Sequence, residues 1–259
     1  MTGGMTGGIT GGPIRRAFRW VISLIFMIQI YLVMLILGIL FAPWAVASPE
    51  GARKACNLYC HWVFFSARWM LGLRTELRGT VPDGEVLIAA KHQSFLDILI
   101  LFEALPRPKF IMKRELMWTP IIGIYAKRLG CIPVDRGKRG AAISRMIDDV
   151  AQGRADPGQL VIYPQGTRVK PGARVRYKSG AAALYAQFGH TCVPTATNVG
   201  LFWPRKGIAK QPGLAVVEIL DPIPPGIDTD TFKGRLEQEI ETASDALMRE
   251  AGFDPDEVH

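Results

Sequence analysis

Hydrophobic and polar residues follow two different patterns along the chain, and the change comes near residue 74. Before it, an uncharged run over residues 20–46 follows three closely spaced arginines. This run is long enough to cross a bilayer core, which takes about 20 residues in a helix. Turn-forming residues between 38 and 51 then predict a bend, and the mostly apolar stretch 56–73 predicts a second helix. The pattern therefore predicts a membrane-anchoring helical segment over residues 15–73.

Two arrangements of this anchor are compatible with the sequence. The two helices either cross the membrane and return or dip into one leaflet, and in both cases the rest of the chain stays on the cytoplasmic side. A buried helical hairpin in a soluble protein is the competing interpretation, but an uncharged run of this length is rare in soluble domains. The run is also too long for an ordinary signal sequence.

After residue 74, short apolar runs alternate with helical patterns. The predicted strands cover residues 74–78, 85–90, 109–112, 131–134, 160–163, 191–197 and 215–220, and the predicted helices lie near 95–104, 121–129, 140–151, 179–188 and 231–251. This alternation predicts a layered α/β domain around a largely parallel mixed sheet over residues 74–259. Residues 1–14, in which Met-Thr-Gly-Gly recurs, predict a flexible N-terminus.

The amino-acid composition indicates which kind of partner and which cellular compartment to expect. The chain has 31 lysines and arginines against 23 acidic residues, a net charge of +8, which favours an anionic partner such as nucleic acid or anionic lipid. Its four cysteines lack the spacing of a disulfide framework and indicate a reducing, cytoplasmic setting. Cys56, Cys60 and His61 have no second ligand pair in the sequence, so they are interpreted as helix-packing residues and no metal site is expected.

The stretch from Lys91 to Asp97 carries candidate chemistry at a predicted strand-to-helix turn. In one regular helix, Asp97 would point about 140° away from His92, so the two can meet only if His92 precedes the helix. Asp97 would then orient the ring and leave its other nitrogen free to take a proton. The same stretch also fits a capping box, in which Ser94 and Asp97 only satisfy backbone donors.

Cations lie in the loops after three predicted strands: Lys113, Arg136 and Arg168. Functional sites in parallel sheets gather beyond the carboxyl ends of the strands, so these loops are expected to form one anion pocket beside His92. Taken singly, each loop is explained as well by a solvated turn.

Four sequence blocks stand in order along the chain. They are His-x-x-x-x-Asp from His92 to Asp97, Gly-Cys-Ile-Pro-Val-Asp-Arg ending at Arg136, Tyr-Pro-Gln-Gly-Thr-Arg ending at Arg168, and Val-Pro at 193–194. In this order they resemble the glycerolipid acyltransferase family, most closely the 1-acylglycerol-3-phosphate acyltransferases of bacteria. The resemblance covers about residues 75–220, and the family commonly has a membrane-bound helical segment before this region.

The resemblance implies a role for each matching residue. His92 is expected to be the general base for a lysophospholipid hydroxyl, and Asp97 its orienting partner. The residues expected to bind the substrate are Lys113, Arg136, Gln165, Gly166, Thr167 and Arg168. Two positions depart from the family pattern, because Gln165 stands where glutamate is usual and Lys91 where asparagine is frequent. Gln165 loses a charge, which leaves the choice of acceptor open.

The implied activity is acyl transfer from acyl-CoA or acyl carrier protein to the sn-2 hydroxyl of 1-acylglycerol-3-phosphate, giving phosphatidic acid. Backbone donors near the helix start are expected to hold the oxyanion. No cofactor and no metal are expected, the partners are membrane lipids and the two substrates, and nucleic acid is not among them. The expected location is the inner membrane, with the catalytic domain on the cytoplasmic face. The alternatives are an acyltransferase with another lysolipid as acceptor and a non-catalytic lipid-binding module.

Overall fold

A computed structural model describes residues 12–134 and 157–258 of the chain. Seven strands form its sheet: β1 Leu73–Arg78, β2 Val86–Ala90, β3 Pro108–Lys113, β4 Ile132–Val134, β5 Gln159–Ile162, β6 Cys192–Thr197 and β7 Gly213–Ile219. The helices are α1 Pro13–Leu40, α2 Ala42–Ala47, α3 Pro49–Leu71, α4 Leu96–Ala104, α5 Ile122–Arg128, α6 Ser179–Phe188 and α7 Thr229–Glu250. All seven predicted strands are confirmed, and so are four of the five helices predicted after residue 74. The fifth, over 140–151, lies outside the described residues.

The sheet has the order β1-β7-β6-β2-β5-β3-β4. β6 and β7 pair antiparallel and the other neighbours pair parallel, which confirms a largely parallel mixed sheet. β2 lies at the centre and is buried on both faces. Ile88 and Ala90 pack into a core shared with α1, α3 and α4, while Leu87 and Ala89 pack into a core shared with α6 and α7. Because β2 is fixed from both sides, the residues that follow it have a rigid base.

Within the described ranges, one helix is long and apolar enough to cross a membrane: α1. The predicted bend follows it, and the predicted second helix is present as α3. However, α3 packs against α1 and the sheet through Tyr59, Val63 and Ala67 and is not a second candidate span. One face of α1 exposes large apolar side chains at Ile25, Ile28, Leu32, Leu35, Ile36 and Ile39. This apolar face indicates association with a membrane.

The other face of α1 packs on the α/β domain along its length. Phe26 lies edge-on to Trp203, with the ring centroids 5.3 Å apart. Ser23 Oγ accepts a hydrogen bond from the backbone N–H of Lys210 at 3.0 Å, and Tyr125 donates to the carbonyl of Gly38 at 3.0 Å. The contacts therefore extend over four turns of the helix, and α1 and the domain form one packed unit.

The buried lysine at this contact predicts a pH-dependent stability. Lys210 Nζ donates to the Gly207 carbonyl at 3.1 Å, and burial lowers the pKa of Lys210 from 10.5 to about 8. Between these two values the unfolded chain binds more protons than the folded chain, so the free energy of unfolding should rise with pH in this window. Thermal unfolding in detergent from pH 7 to 11 should show this rise in the wild type and lose it in Lys210→Met. Lys206→Met, an exposed lysine nearby, should keep it; a rise that persists in Lys210→Met would contradict the assignment.

Candidate active site

His92 and Asp97 meet as their spacing predicts. His92 lies on the connection between β2 and α4, and its Nδ1 is 2.9 Å from Asp97 Oδ1. The second carboxylate oxygen accepts the backbone N–H groups of Gln93 and Ser94, each at 2.8 Å. The Asp97 side chain is 1% exposed and that of His92 is 14% exposed. The hydrogen bond to Asp97 engages Nδ1 and leaves Nε2 of His92 for a substrate proton.

The capping interpretation of the same stretch also holds. Ser94 Oγ accepts the backbone N–H of Leu96 at 3.1 Å, and Asp97 reaches back to the N–H of Ser94. Capping and orientation are therefore two functions of one carboxylate. The amides of Gln93, Ser94 and Leu96 already have acceptors, so these three donors at the helix start are not free to hold an oxyanion.

Tyr163, directly after β5, packs against the ring of His92. Its ring stacks on the His92 ring with centroids 4.0 Å apart and planes 22° apart. Burial, and then the nearby Asp97 carboxylate, hold the pKa of Tyr163 well above its usual range, so the phenol stays neutral. The backbone N–H of Val169 donates to the His92 carbonyl at 2.7 Å, which ties the loop after β5 to the histidine. The sequence motif contained Tyr163, but its contact with His92 could not be predicted from the motif.

The loop from Gly166 to Arg168 is the predicted turn. Gly166 has φ +68°, a left-handed backbone conformation that glycine adopts without strain. Arg205 donates from Nη1 to Thr167 Oγ1 at 3.2 Å and to the Arg168 carbonyl at 3.1 Å. Arg205 was not predicted from the sequence, since it lies 37 residues beyond Arg168 in a stretch without a motif.

A cavity of about 940 Å³ opens beside this loop. Gln93, the residue after His92, lines its wall, and its side-chain oxygen accepts the N–H of Gly200 at 2.9 Å. Among the described residues no aspartate or glutamate lines the cavity. Its cations are Arg15, Arg16, Arg19, Arg168, Lys170, Arg205 and Lys206. Converging cations with no acid in the wall create a strong positive potential, which suits a phosphate.

Of the other two predicted cations, the structure describes only Lys113, which does not line this cavity. Lys113 ends β3, at the same edge of the sheet as His92 but two strands away from β2. It is exposed and does not line the cavity. Arg136 lies outside the described residues. Of the two predicted cations that the structure describes, Arg168 lines the cavity and Lys113 does not, and further cations come from α1 and from the 205–206 turn.

A buried carboxylate that the sequence did not indicate lies behind the site. Glu241 on α7 accepts from Lys91 Nζ at 2.5 Å and from Gln165 Nε2 at 3.3 Å. Tyr177 and Arg174 also donate to it, at 3.0 and 2.7 Å. Gln165 is 1% exposed and faces this carboxylate, so its amide group does not line the cavity.

The arrangement supplies a base, its orienting acid and a cationic cavity at one edge of the sheet. In the described part of the chain, no three His, Cys, Asp or Glu side chains cluster as metal ligands would. For His92 to accept a proton at Nε2, the ring must carry its hydrogen on Nδ1, and the hydrogen bond to Asp97 fixes this tautomer. The described residues are therefore suited to transferring a group to a hydroxyl that belongs to a phosphorylated acceptor.

Comparison with known proteins places these residues in a family. The sequence model of the acyltransferase family matches residues 73–198. A 1-acyl-sn-glycerol-3-phosphate acyltransferase from Pseudomonas aeruginosa is 31% identical over 172 residues, which are 64% of this chain and 66% of that protein, just under two thirds. The 1-acyl-sn-glycerol-3-phosphate acyltransferase alpha of Mus musculus is 30% identical over 195 residues, which are 73% of this chain and 68% of that protein.

A solved structure shares the fold. The crystal structure of the 1-acyl-sn-glycerophosphate (LPA) acyltransferase from Thermotoga maritima superposes with a TM-score of 0.73 and covers 88% of this chain and 97% of that chain. Its sequence identity is 19%, so this likeness concerns the fold alone. The matched sequence region contains β2, the His92 and Asp97 pair and the loop that ends at Arg168. The chain belongs to the acyltransferase family that includes the 1-acyl-sn-glycerol-3-phosphate acyltransferases.

Proposed function

We propose that the protein transfers a fatty acyl group from an acyl thioester, acyl-CoA or acyl carrier protein, to the sn-2 hydroxyl of 1-acylglycerol-3-phosphate, giving phosphatidic acid. The observation that carries this proposal is the 2.9 Å contact between His92 and Asp97 next to a cavity that contains Arg168 and six further cations. A base beside an anion site matches an acceptor that has both a hydroxyl and a phosphate. The family membership supports the reaction class.

The chemistry requires one base. Nε2 of His92 takes the proton of the acceptor hydroxyl while its oxygen attacks the thioester carbonyl, and Asp97 stabilises the imidazolium that forms. The tetrahedral intermediate then breaks its C–S bond and releases the thiolate. Because thiols have a pKa of about 8.5, the thiolate leaves without a strong acid and can regain the proton from His92. The hydroxyl attacks directly, so no acyl-enzyme forms.

The acceptor phosphate is assigned to the cationic cavity. Arg168 presents a planar pair of donors that fits a phosphate, and Arg205 holds the loop on which it stands. Lys113 and Arg136 stay sequence-based predictions for the same acceptor, because Lys113 does not line the cavity and Arg136 lies outside the described residues. The cavity is larger than a phosphate, which leaves room for the glycerol part of a headgroup.

The membrane attachment follows from the two faces of α1. One face packs on the domain from Ser23 to Gly38, so the domain and the helix lie side by side rather than on opposite sides of a bilayer. The exposed apolar face is therefore assigned to one leaflet, with the helix lying along the membrane surface. Three arginines lie in the first turns of α1, and Arg53 and Lys54 lie in α3. Because cytoplasmic segments carry an excess of positive charge, both ends of the anchoring segment are assigned to the cytoplasmic face of the inner membrane.

Purified protein in detergent, with acyl-CoA or acyl carrier protein as donor, tests the proposal. Phosphatidic acid and free thiol should appear in equal amounts when 1-acylglycerol-3-phosphate is the acceptor. A panel of acceptors separates this activity from acylation of another lysolipid. In the sequence, Gln165 was the feature that favoured another lysolipid. In the structure its amide group is buried against Glu241 and does not face the cavity. Acceptor binding without thiol release would instead indicate a non-catalytic lipid-binding module.

Arg168→Gln should raise the KM for 1-acylglycerol-3-phosphate by about tenfold or more, because a charge-assisted pair to the phosphate is lost. The KM for the acyl donor should not change, since the donor's thioester does not depend on this cation. Steady-state kinetics with each substrate varied in turn provide the measurement. Arg176→Gln removes an exposed arginine outside the cavity and serves as the control. Equal rises in both KM values would show that Arg168 does not act on the acceptor phosphate.

A further inference from the structure

Glu241 links the two segments that flank the His92 ring. Lys91, the residue before His92, is 1% exposed and places its ammonium group on Glu241. Gln165, two residues after the tyrosine that stacks on His92, donates its amide to the other oxygen of the same carboxylate. One side chain of the last long helix therefore contacts both the strand end that carries the base and the loop that covers it.

The burial of Lys91 makes this carboxylate necessary. An ammonium group inside a protein is stable only when it is paired, and removing one partner of a buried pair leaves an uncompensated charge. The backbone N–H of Lys91 is also fixed, since it donates to the Thr195 carbonyl at 2.9 Å. The backbone of Lys91 is therefore held at the end of β2, and His92 follows it directly in the chain.

The two departures from the family pattern meet at this point. The loop lacks a carboxylate at Gln165 and the strand end has gained a cation at Lys91, and Glu241 contacts both. We infer that Glu241 is a positioning residue for acyl transfer, which supplies from α7 the negative charge that position 165 lacks and so keeps His92 and Tyr163 in register. This inference rests on the proposed function, because its main measurement is the rate of acyl transfer.

Moving the carboxylate tests the inference. Glu241→Gln should lower kcat by about tenfold to a hundredfold, because small displacements of a catalytic base are costly, and should leave both KM values nearly unchanged. Gln165→Glu alone should also lower the rate, because a carboxylate then replaces the amide that donates to Glu241 and the two carboxylates repel each other. The double variant Glu241→Gln/Gln165→Glu returns to one carboxylate beside Lys91 and should recover at least about tenfold of the lost rate.

Asp245→Asn is the matched control. Asp245 lies one turn further along α7, is also buried, and accepts from the same Arg174, but Lys91 and Gln165 donate to Glu241 instead. This variant should lose stability in thermal unfolding and keep its kcat. A purely structural role of Glu241 predicts that Glu241→Gln and Asp245→Asn behave alike and that the double variant recovers nothing.

Each outcome is decisive. If Glu241→Gln folds and keeps the wild-type kcat, the inference is wrong. If Glu241→Gln does not fold, the double variant decides. Recovery of both folding and turnover in the double variant would support the inference, because the carboxylate at position 165 then replaces the one lost at 241. A double variant that is inactive would overturn the inference. A wild-type protein that transfers no acyl group contradicts the proposed function itself, which distinguishes the two failures.

Discussion

His92→Ala is expected to lower kcat for acyl transfer by about 10²- to 10⁴-fold, the range of a general base in other enzymes. A lipid hydroxyl is a poor nucleophile near neutral pH, and in this site Nε2 of His92 is the group assigned to remove its proton. The cationic cavity assigned to the acceptor phosphate does not include the imidazole, so the KM for 1-acylglycerol-3-phosphate should change little. Thiol release from acyl-CoA at saturating 1-acylglycerol-3-phosphate measures the loss.

His190→Ala is the control for this variant. His190 is exposed and lies before β6, at the opposite edge of the sheet from His92, with its ring nitrogen 3.8 Å from Glu85. Removing this ring should leave kcat unchanged. If His92→Ala turned over as fast as the wild type, another group would have to take the proton and the mechanism would be wrong.

The part of the site that could be predicted is local in sequence. The pairing of His92 with Asp97 follows from a strand that ends at residue 90 and a helix that begins at 96, because the five-residue step excludes one continuous helix. The turn at Gly166 could also be predicted, because the residues that indicate it lie within the six-residue block that ends at Arg168. The positions of β2 and β5 followed from apolar runs that are buried on both faces of the sheet.

The contacts that could not be predicted join distant segments. Glu241 is 150 residues from Lys91, and neither residue has a pattern that names the other. One signal was present: Glu241 follows the buried Ile240 and lies two turns before the buried Met248, so a charged residue occurs on the apolar face of an amphipathic helix. That signal indicates a buried partner but not its identity, which depends on the packing of α7 on β6.

The cationic cavity shows the same limit. The arginines at 15, 16 and 19 were interpreted as the flank of a membrane helix, whereas Arg168 was predicted to belong to the anion pocket. They line one cavity because α1 packs on the domain, where Arg19 donates to Gln211 and Ser23 bonds to Lys210. The antiparallel pairing of β6 with β7 could not be predicted either, because the local sequence of a strand does not indicate its direction in the sheet.

Asp97→Asn is expected to lower kcat by about 10²- to 10⁴-fold with only a modest loss of stability. Three donors converge on the carboxylate: Nδ1–H of His92 and the backbone N–H groups of Gln93 and Ser94. Asparagine keeps one acceptor oxygen and replaces the other by an NH₂ group. If its oxygen stays on the two amides, the NH₂ group faces Nδ1 and moves the ring proton to Nε2, which can then no longer act as the base.

Ser94→Ala separates this effect from helix capping. It removes the hydroxyl that accepts the Leu96 N–H and leaves the Asp97 carboxylate in place, so it should cost about 0.5–2 kcal/mol of stability and keep the wild-type kcat. Activity and thermal unfolding, measured on both variants, then distinguish the two functions of this stretch. If Asp97→Asn lost stability and kept its kcat, as Ser94→Ala should, Asp97 would be a cap alone and the orientation of His92 would need another source.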